Sequence, residues 1–75
     1  MLYYAYMTRQ KNEKFAKKYG EKFRAAREKL GLTQEDVAVK AGINITTYAR
    51  MERGDKEPTG SNLIKVATVL KVKLP

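Results

Sequence analysis

The segment Asn44-Ile45-Thr46-Thr47-Tyr48-Ala49-Arg50 gathers the residues of this chain best suited to recognition chemistry. An arginine guanidinium can grip guanine through two hydrogen bonds, and a threonine hydroxyl can donate or accept at any base edge. An exposed isoleucine makes an apolar contact suited to a thymine methyl. Read as a helix, the segment turns Tyr48 and Met51 to one side as core residues. Ile45, Thr46 and Ala49 share the other side, with Arg50 near its edge. A helix that reads a duplex enters the groove by its first residues, so Ile45 and Thr46 are the first to meet base edges. The plainer alternative for Ile45 is an ordinary surface residue or part of a protein contact.

Catalytic and metal chemistry find no comparable support. The chain has no cysteine and no histidine, so the commonest metal ligand and the commonest general base near neutral pH are both missing. Glu35, Asp36, Glu52, Asp55 and Glu57 have ready roles as caps, surface charges or an ion-pair partner. No nucleophile and base stand at a recognisable spacing. Neither an enzyme, nor a metal site, nor a cofactor is expected.

The elements around this segment follow from caps and periodicity. Thr33 starts a second helix with Asp36 three residues on, the spacing of a capping box. Val37, Ala38 and Ala41 face inward and Gly42 ends that helix. Asn44 caps the third helix, which runs to about Glu52, with Ile43 placed as a staple and Gly54 closing it. Two short helices joined at Ala41-Gly42-Ile43 have the shape of a helix-turn-helix. A fourth helix runs from Thr59 or Ser61 to Leu70, with Leu63, Val66, Ala67 and Leu70 on its buried face.

Upstream, residues 9 to 29 read as helix, with Tyr19, Phe23, Ala26 and Leu30 on one face. Gly20 costs that helix up to about 1 kcal/mol relative to alanine and allows a break or a helix start there. Gly31 is its C-cap. The opening MLYYAYM holds Tyr3, Tyr4 and Tyr6, residues that favour an extended segment. Three placements stay open for it: pairing with a second copy, packing on the helical core, or disorder. Met7 is an alternative start. The expected organisation is a basic, tyrosine-rich extension over residues 1–18 and a helix-turn-helix domain over residues 19–75.

Backbone contacts to a duplex need cations, hydroxyls and free amides around the reading helix. Thr33 and Gln34 stand at the N-terminus of the second helix, Asn44 at that of the third, and Arg53 and Lys56 just past its far end. Arg27 and Glu52 both lie on helix sides that face the core, where an ion pair would fix the angle between the first and third helices.

The formal net charge is +8, which favours a polyanionic partner over mere solubility. Nine of the 16 basic residues fall between Arg9 and Lys29, opposed there only by Glu13, Glu21 and Glu28. No apolar run is long enough to span a bilayer, and the opening segment is too short and too polar for a signal-peptide core. The expected location is the cytoplasm.

From Tyr19 to Leu74 the chain resembles the Cro and phage-repressor type of helix-turn-helix domain, the XRE family. The resemblance rests on G-x-x-F-R-x-A-R-x-x-x-G-L-T-Q-E-D-V-A over 20–38, A-G-I at 41–43, Y-x-R-M-E-R-G over 48–54 and P-T-x-x-x-L-I-K-V-A-x-x-L over 58–70. It implies an all-α, compact, lambda-repressor-like bundle of four or five helices. It also implies homodimers on two-fold-related operators. By position it puts Ile45, Thr46 and Arg50 at base-reading sites, with Thr47 and Ala49 beside them. Gln34 falls at a phosphate contact, Asn44 and Lys56 near backbone contacts, and Arg27 and Glu52 at a structural ion pair. There are departures from the family pattern. Gly60 replaces a usual core leucine, and the fifth helix is missing or reduced to Val72–Pro75. Residues 1–18 are extra, and their positive charge would suit a place along DNA.

The leading expectation is a sequence-specific DNA-binding transcriptional regulator, a repressor acting as a homodimer. Two alternatives stay open. One is an antitoxin that holds a protein partner through the N-terminal extension. The other is a helical protein- or RNA-binding module.

Overall fold

The computed structural model describes the backbone of residues 2–55 and 59–73, and the side chains of residues 16–55 and 59–73. Four helices account for most of them: α1 (Leu2–Lys29), α2 (Gln34–Ala41), α3 (Ile45–Arg53) and α4 (Gly60–Leu70). No strand occurs among the described residues. None of their helices is long and apolar enough to cross a membrane.

Each short helix begins at a polar cap. Thr33 Oγ1 accepts from the Asp36 N–H at 3.0 Å, and the Thr33 N–H donates to Asp36 Oδ2 at 2.9 Å, a reciprocal capping box. The Asn44 side chain accepts from the Thr46 N–H at 2.7 Å and Thr59 Oγ1 from the Asn62 N–H at 3.3 Å. Caps of this kind are worth about 1 kcal/mol each, which matters for helices of two or three turns. Gly42 and Gly54 end α2 and α3 at φ of 69° and 73°, a conformation that costs a residue with a Cβ.

The core forms where the four helices meet. Phe23, Val37, Tyr48 and Val66 are fully buried, one from each helix, and Tyr19, Met51 and Leu70 pack around them. Full burial of such side chains stabilises by about 1.5–3 kcal/mol each. α1 packs chiefly on α3, and α2 lies on both α3 and α4.

Several expectations are corrected here. α1 is one helix of 28 residues that runs through Gly20 without a break. Its start at Leu2 makes the backbone of the tyrosine-rich opening helical rather than extended. Leu30 does not join the buried face and is 45 % exposed. It lies past the last residue of α1, and the left-handed turn at Gly31 (φ 71°) carries the chain away. Leu32 takes the half-buried place instead. Leu63 is only partly buried at the edge of the core. Beyond α4, Val72 is not helical, and its N–H returns to the Ala67 carbonyl at 3.0 Å. Gly60 is exposed, with open space where a Cβ would be.

Candidate nucleic-acid interface

α3 is amphipathic because its periodicity places Tyr48, Met51 and Glu52 inward, all three buried. Thr46, Arg50 and Arg53, spaced by four and three, form its outermost line, and all are exposed. Ile45 lies beside them at 45 % exposure. Thr47 and Ala49 are half-buried on the flanks, so Ala49 is less outward than the periodicity suggests. Arg50 forms no ion pair with any described residue, which leaves all five guanidinium donors available. Arg53 pairs with Asp55 at 2.9 Å in an exposed contact. Such pairs are worth at most about 1 kcal/mol and exchange readily for another anion.

Behind this face lies a buried polar cluster. Arg27 Nε donates to Glu52 Oε2 at 2.6 Å and its Nη2 to Oε1 at 3.1 Å. Its Nη1 donates to the Leu32 carbonyl at 3.0 Å. One side chain thus ties α1 to the α1–α2 turn and to α3. Gln34 Nε2 donates to Glu52 Oε1 at 3.0 Å, which brings the first residue of α2 into the same network. Burial pushes the Glu52 carboxyl upward, but the bonds from Arg27 and Gln34 and the nearby Tyr48 hydroxyl outweigh it. The net position is below the usual carboxylate value. The Tyr48 hydroxyl is buried without a well-formed hydrogen bond to any described residue. Burial first, and the adjacent Glu52 charge second, push its ionisation well above the ordinary tyrosine value.

A cleft of about 220 Å³ opens over this cluster, lined by Arg24, Arg27, Gln34, Glu52 and Arg53. Gln34 and Arg53 therefore share one surface, while Thr33 and Asn44 are engaged as caps at the two helix starts. Lys56 lies outside the described residues.

Three features of this support go beyond the sequence. Gly20 is a contact point, since a Cβ there would lie 2.5 Å from the carbonyl oxygens of Met51 and Glu52. A Cβ on Gly54 would lie 2.8 Å from Lys17 Cα, so α1 also backs onto the end of α3. The signal for the first was a glycine in mid-helix, which marks close backbone approach as readily as a break. The third is the part of Gln34 in the Glu52 network, for which the sequence carries no signal.

Two short helices joined by a glycine turn, the second presenting an exposed polar face from a buried brace, define a helix-turn-helix domain. A family model described as Helix-turn-helix matches residues 23–75, and the chain belongs to that family, in its XRE type. The chain is 33 % identical over 57 residues to the cryptic phage CTXphi transcriptional repressor RstR of Vibrio cholerae, covering 76 % of this chain and 51 % of the relative. It is 41 % identical over 51 residues to the HTH-type transcriptional regulator DicA of Escherichia coli, covering 68 % and 38 %. It is 34 % identical over 56 residues to the uncharacterized HTH-type transcriptional regulator YqaE of Bacillus subtilis, covering 75 % and 48 %. The chain thus spans about half the length, or less, of these curated relatives. No solved structure matches it.

Proposed function

We propose that this chain is a sequence-specific DNA-binding transcriptional regulator, a repressor that acts as a homodimer in the cytoplasm and performs no chemistry. The observation that carries this reading is the exposed line of Thr46 and Arg50, flanked by Ile45, on a helix braced from behind by Arg27–Glu52. An exposed arginine that pairs with no described acid, on a helix held in place by a buried ion pair, suits base discrimination. The names of the relatives, a phage repressor and two HTH-type regulators, support the same role.

In this reading α3 enters the major groove, with Ile45, Thr46, Thr47, Ala49 and Arg50 facing the bases. Thr33, Gln34, Asn44, Arg53 and Lys56 meet the phosphates. Two subunits would sit on half-sites about 34–36 Å apart, one turn of duplex. Residues 1–18 form an extension to the reading domain at 19–75 and are the candidate contact for a protein partner.

Selection of sites from a random duplex library at near-physiological salt tests the reading, with Arg50→Ala run beside the parent. The expected result is a two-fold-symmetric consensus that weakens in the variant. A library with no enriched sequence overturns it.

A further inference from the structure

We propose that α1 carries a second DNA-binding surface, a lysine face that grips the phosphates of a duplex other than the one met by α3. The inference goes beyond the reading function and rests on different residues. At 3.6 residues per turn, positions two apart on a helix point about 200° from one another. Gly20 and Arg27 both touch α3 directly. Lys18 and Lys22 flank Gly20 at two residues on either side, and Lys29 lies two beyond Arg27. These three lysines therefore point away from α3, and all three are exposed.

No described carboxylate points in the same direction as these lysines. Lys18, Lys22 and Lys29 make no ion pair with any described carboxylate. Glu21 and Glu28 lie with Lys17 and Arg24 on the flank of α1 between this face and α3, where Glu28 pairs with Arg24 at 3.0 Å. The aromatic ring of Tyr19 lies 5.7 Å from Lys22 Nζ. The spacing of four and seven continues seven residues earlier at Lys11, a register position on the same helix. From Lys18 to Lys29 the line runs about 16 Å at 1.5 Å per residue. A duplex carries one negative charge per roughly 1.7 Å of axis, so this line meets several phosphates at once.

The chemistry of the face selects duplex DNA among polyanions. A membrane-surface helix needs an apolar stripe to insert beside its basic one. Among the described residues, the apolar side of α1 is spent on the core through Ala16, Tyr19 and Phe23. Single-strand binding uses exposed aromatic platforms. Among the described residues the aromatics Tyr19, Phe23 and Tyr48 are all buried. What remains is a straight row of flexible point charges, which suits a regular phosphate backbone and reads no sequence. With α1 packed behind α3, the two surfaces face different ways, and one molecule would hold two stretches of duplex.

The test uses the full chain on an immobilised duplex carrying the library-selected site, with a labelled duplex of scrambled sequence in solution. The parent is expected to capture the second duplex. The triple variant Lys18→Gln/Lys22→Gln/Lys29→Gln is expected to keep the selected site, which also reports that it is folded. Its capture should fall roughly tenfold or more, with a salt slope lower by about 0.9 per lysine removed. Arg50→Ala should lose site preference and keep lysine-dependent binding of scrambled duplex. The proposal is overturned by a parent that captures nothing or a triple variant that captures equally. Equal loss of the selected site, or preference for single-stranded RNA or an acidic polypeptide over duplex, overturns it as well. If the library yields no site, the reading function has failed. The lysine face is then judged on scrambled duplex alone, where equal binding by parent and triple variant overturns it.

Discussion

Gly20 of α1 meets the last turn of α3 so closely that a Cβ on it would lie 2.5 Å from the Glu52 carbonyl oxygen. The glycine is the point at which the long first helix touches the backbone of the candidate reading helix. This contact and the Arg27–Glu52 pair, seven residues further along α1, fix the angle between the two helices.

Gly20→Ala separates this role from simple helix propensity. Alanine in mid-helix gains up to about 1 kcal/mol over glycine where space allows. Here the obstacle is backbone, which cannot rotate away, and overpacking of this kind costs about 1–3 kcal/mol. Urea denaturation should show a net loss of stability and weaker DNA binding as α3 tilts. A variant as stable as the parent, or more so, would mean that the helices do not approach this closely.

Glu52→Gln removes the charge from a pair whose side chains are 15 % and 4 % exposed. Loss of one partner of a buried pair costs about 3–5 kcal/mol, and the partly wet Arg27 points to the lower end. The pH dependence has a definite sign. The Glu52 carboxyl is held below its ordinary value of 4.5, so its contribution is present above that value and is lost as the pH falls through the depressed one. The parent should therefore lose its advantage over the variant in acid. The Asp36 carboxyl, held low by the Thr33 N–H and hydroxyl, acts in the same direction but is common to both proteins. A stability difference that persists unchanged at low pH would remove the ionised pair as its cause.

Tyr48→Phe tests the buried hydroxyl. The hydroxyl lacks a well-formed bond but lies near the Glu52 carboxylate that it helps keep ionised, so its removal at constant shape should change stability by less than about 1 kcal/mol. Thermal unfolding near neutral pH reads this directly. The phenol also makes the parent lose stability above its ordinary value of 10.0, because its folded ionisation lies higher, and the variant should lack that decline. Destabilisation by more than about 1 kcal/mol would show that the hydroxyl donates a real hydrogen bond to Glu52.

The parts of this architecture that were legible in the sequence are those with local chemistry. Thr33 with Asp36, Asn44, Gly42 and Gly54 announce caps through residue type and spacing alone. Arg27 and Glu52 are legible as a pair because both carry charge on faces that periodicity turns inward. Tertiary geometry set the rest. Gly20 looked like a flaw in a helix because its justification lies on another helix. Leu30 matched the face of α1 by spacing, yet the helix ends one residue earlier, so the periodic rule no longer applied. Gln34 stands at a helix start suited to phosphate, and its bond to Glu52 depends on how α2 packs against α3. The aromatic opening suggested an extended segment on propensity, which a continuous helix overrides.

Arg50 and Arg53 are both exposed arginines on the outer line of α3, and they should behave differently in DNA binding. Arg50 stands free of described acids and over the expected base edges. Arg50→Ala should cost roughly 1–3 kcal/mol at a single base-pair position and relax preference there. Arg53 lies at the end of α3 beside Gln34, in the cleft over the Arg27–Glu52 pair. Arg53→Ala should weaken all duplexes nearly equally and lower the salt slope by about 1. Its exposed pair with Asp55 adds little to stability, so the loss should come without a change in the unfolding midpoint. Competition titrations against duplexes carrying single base-pair changes, run at several salt concentrations, distinguish the two. If Arg53→Ala altered which base is preferred, or Arg50→Ala weakened every sequence alike, the division of α3 into a reading part and an anchoring end would be wrong.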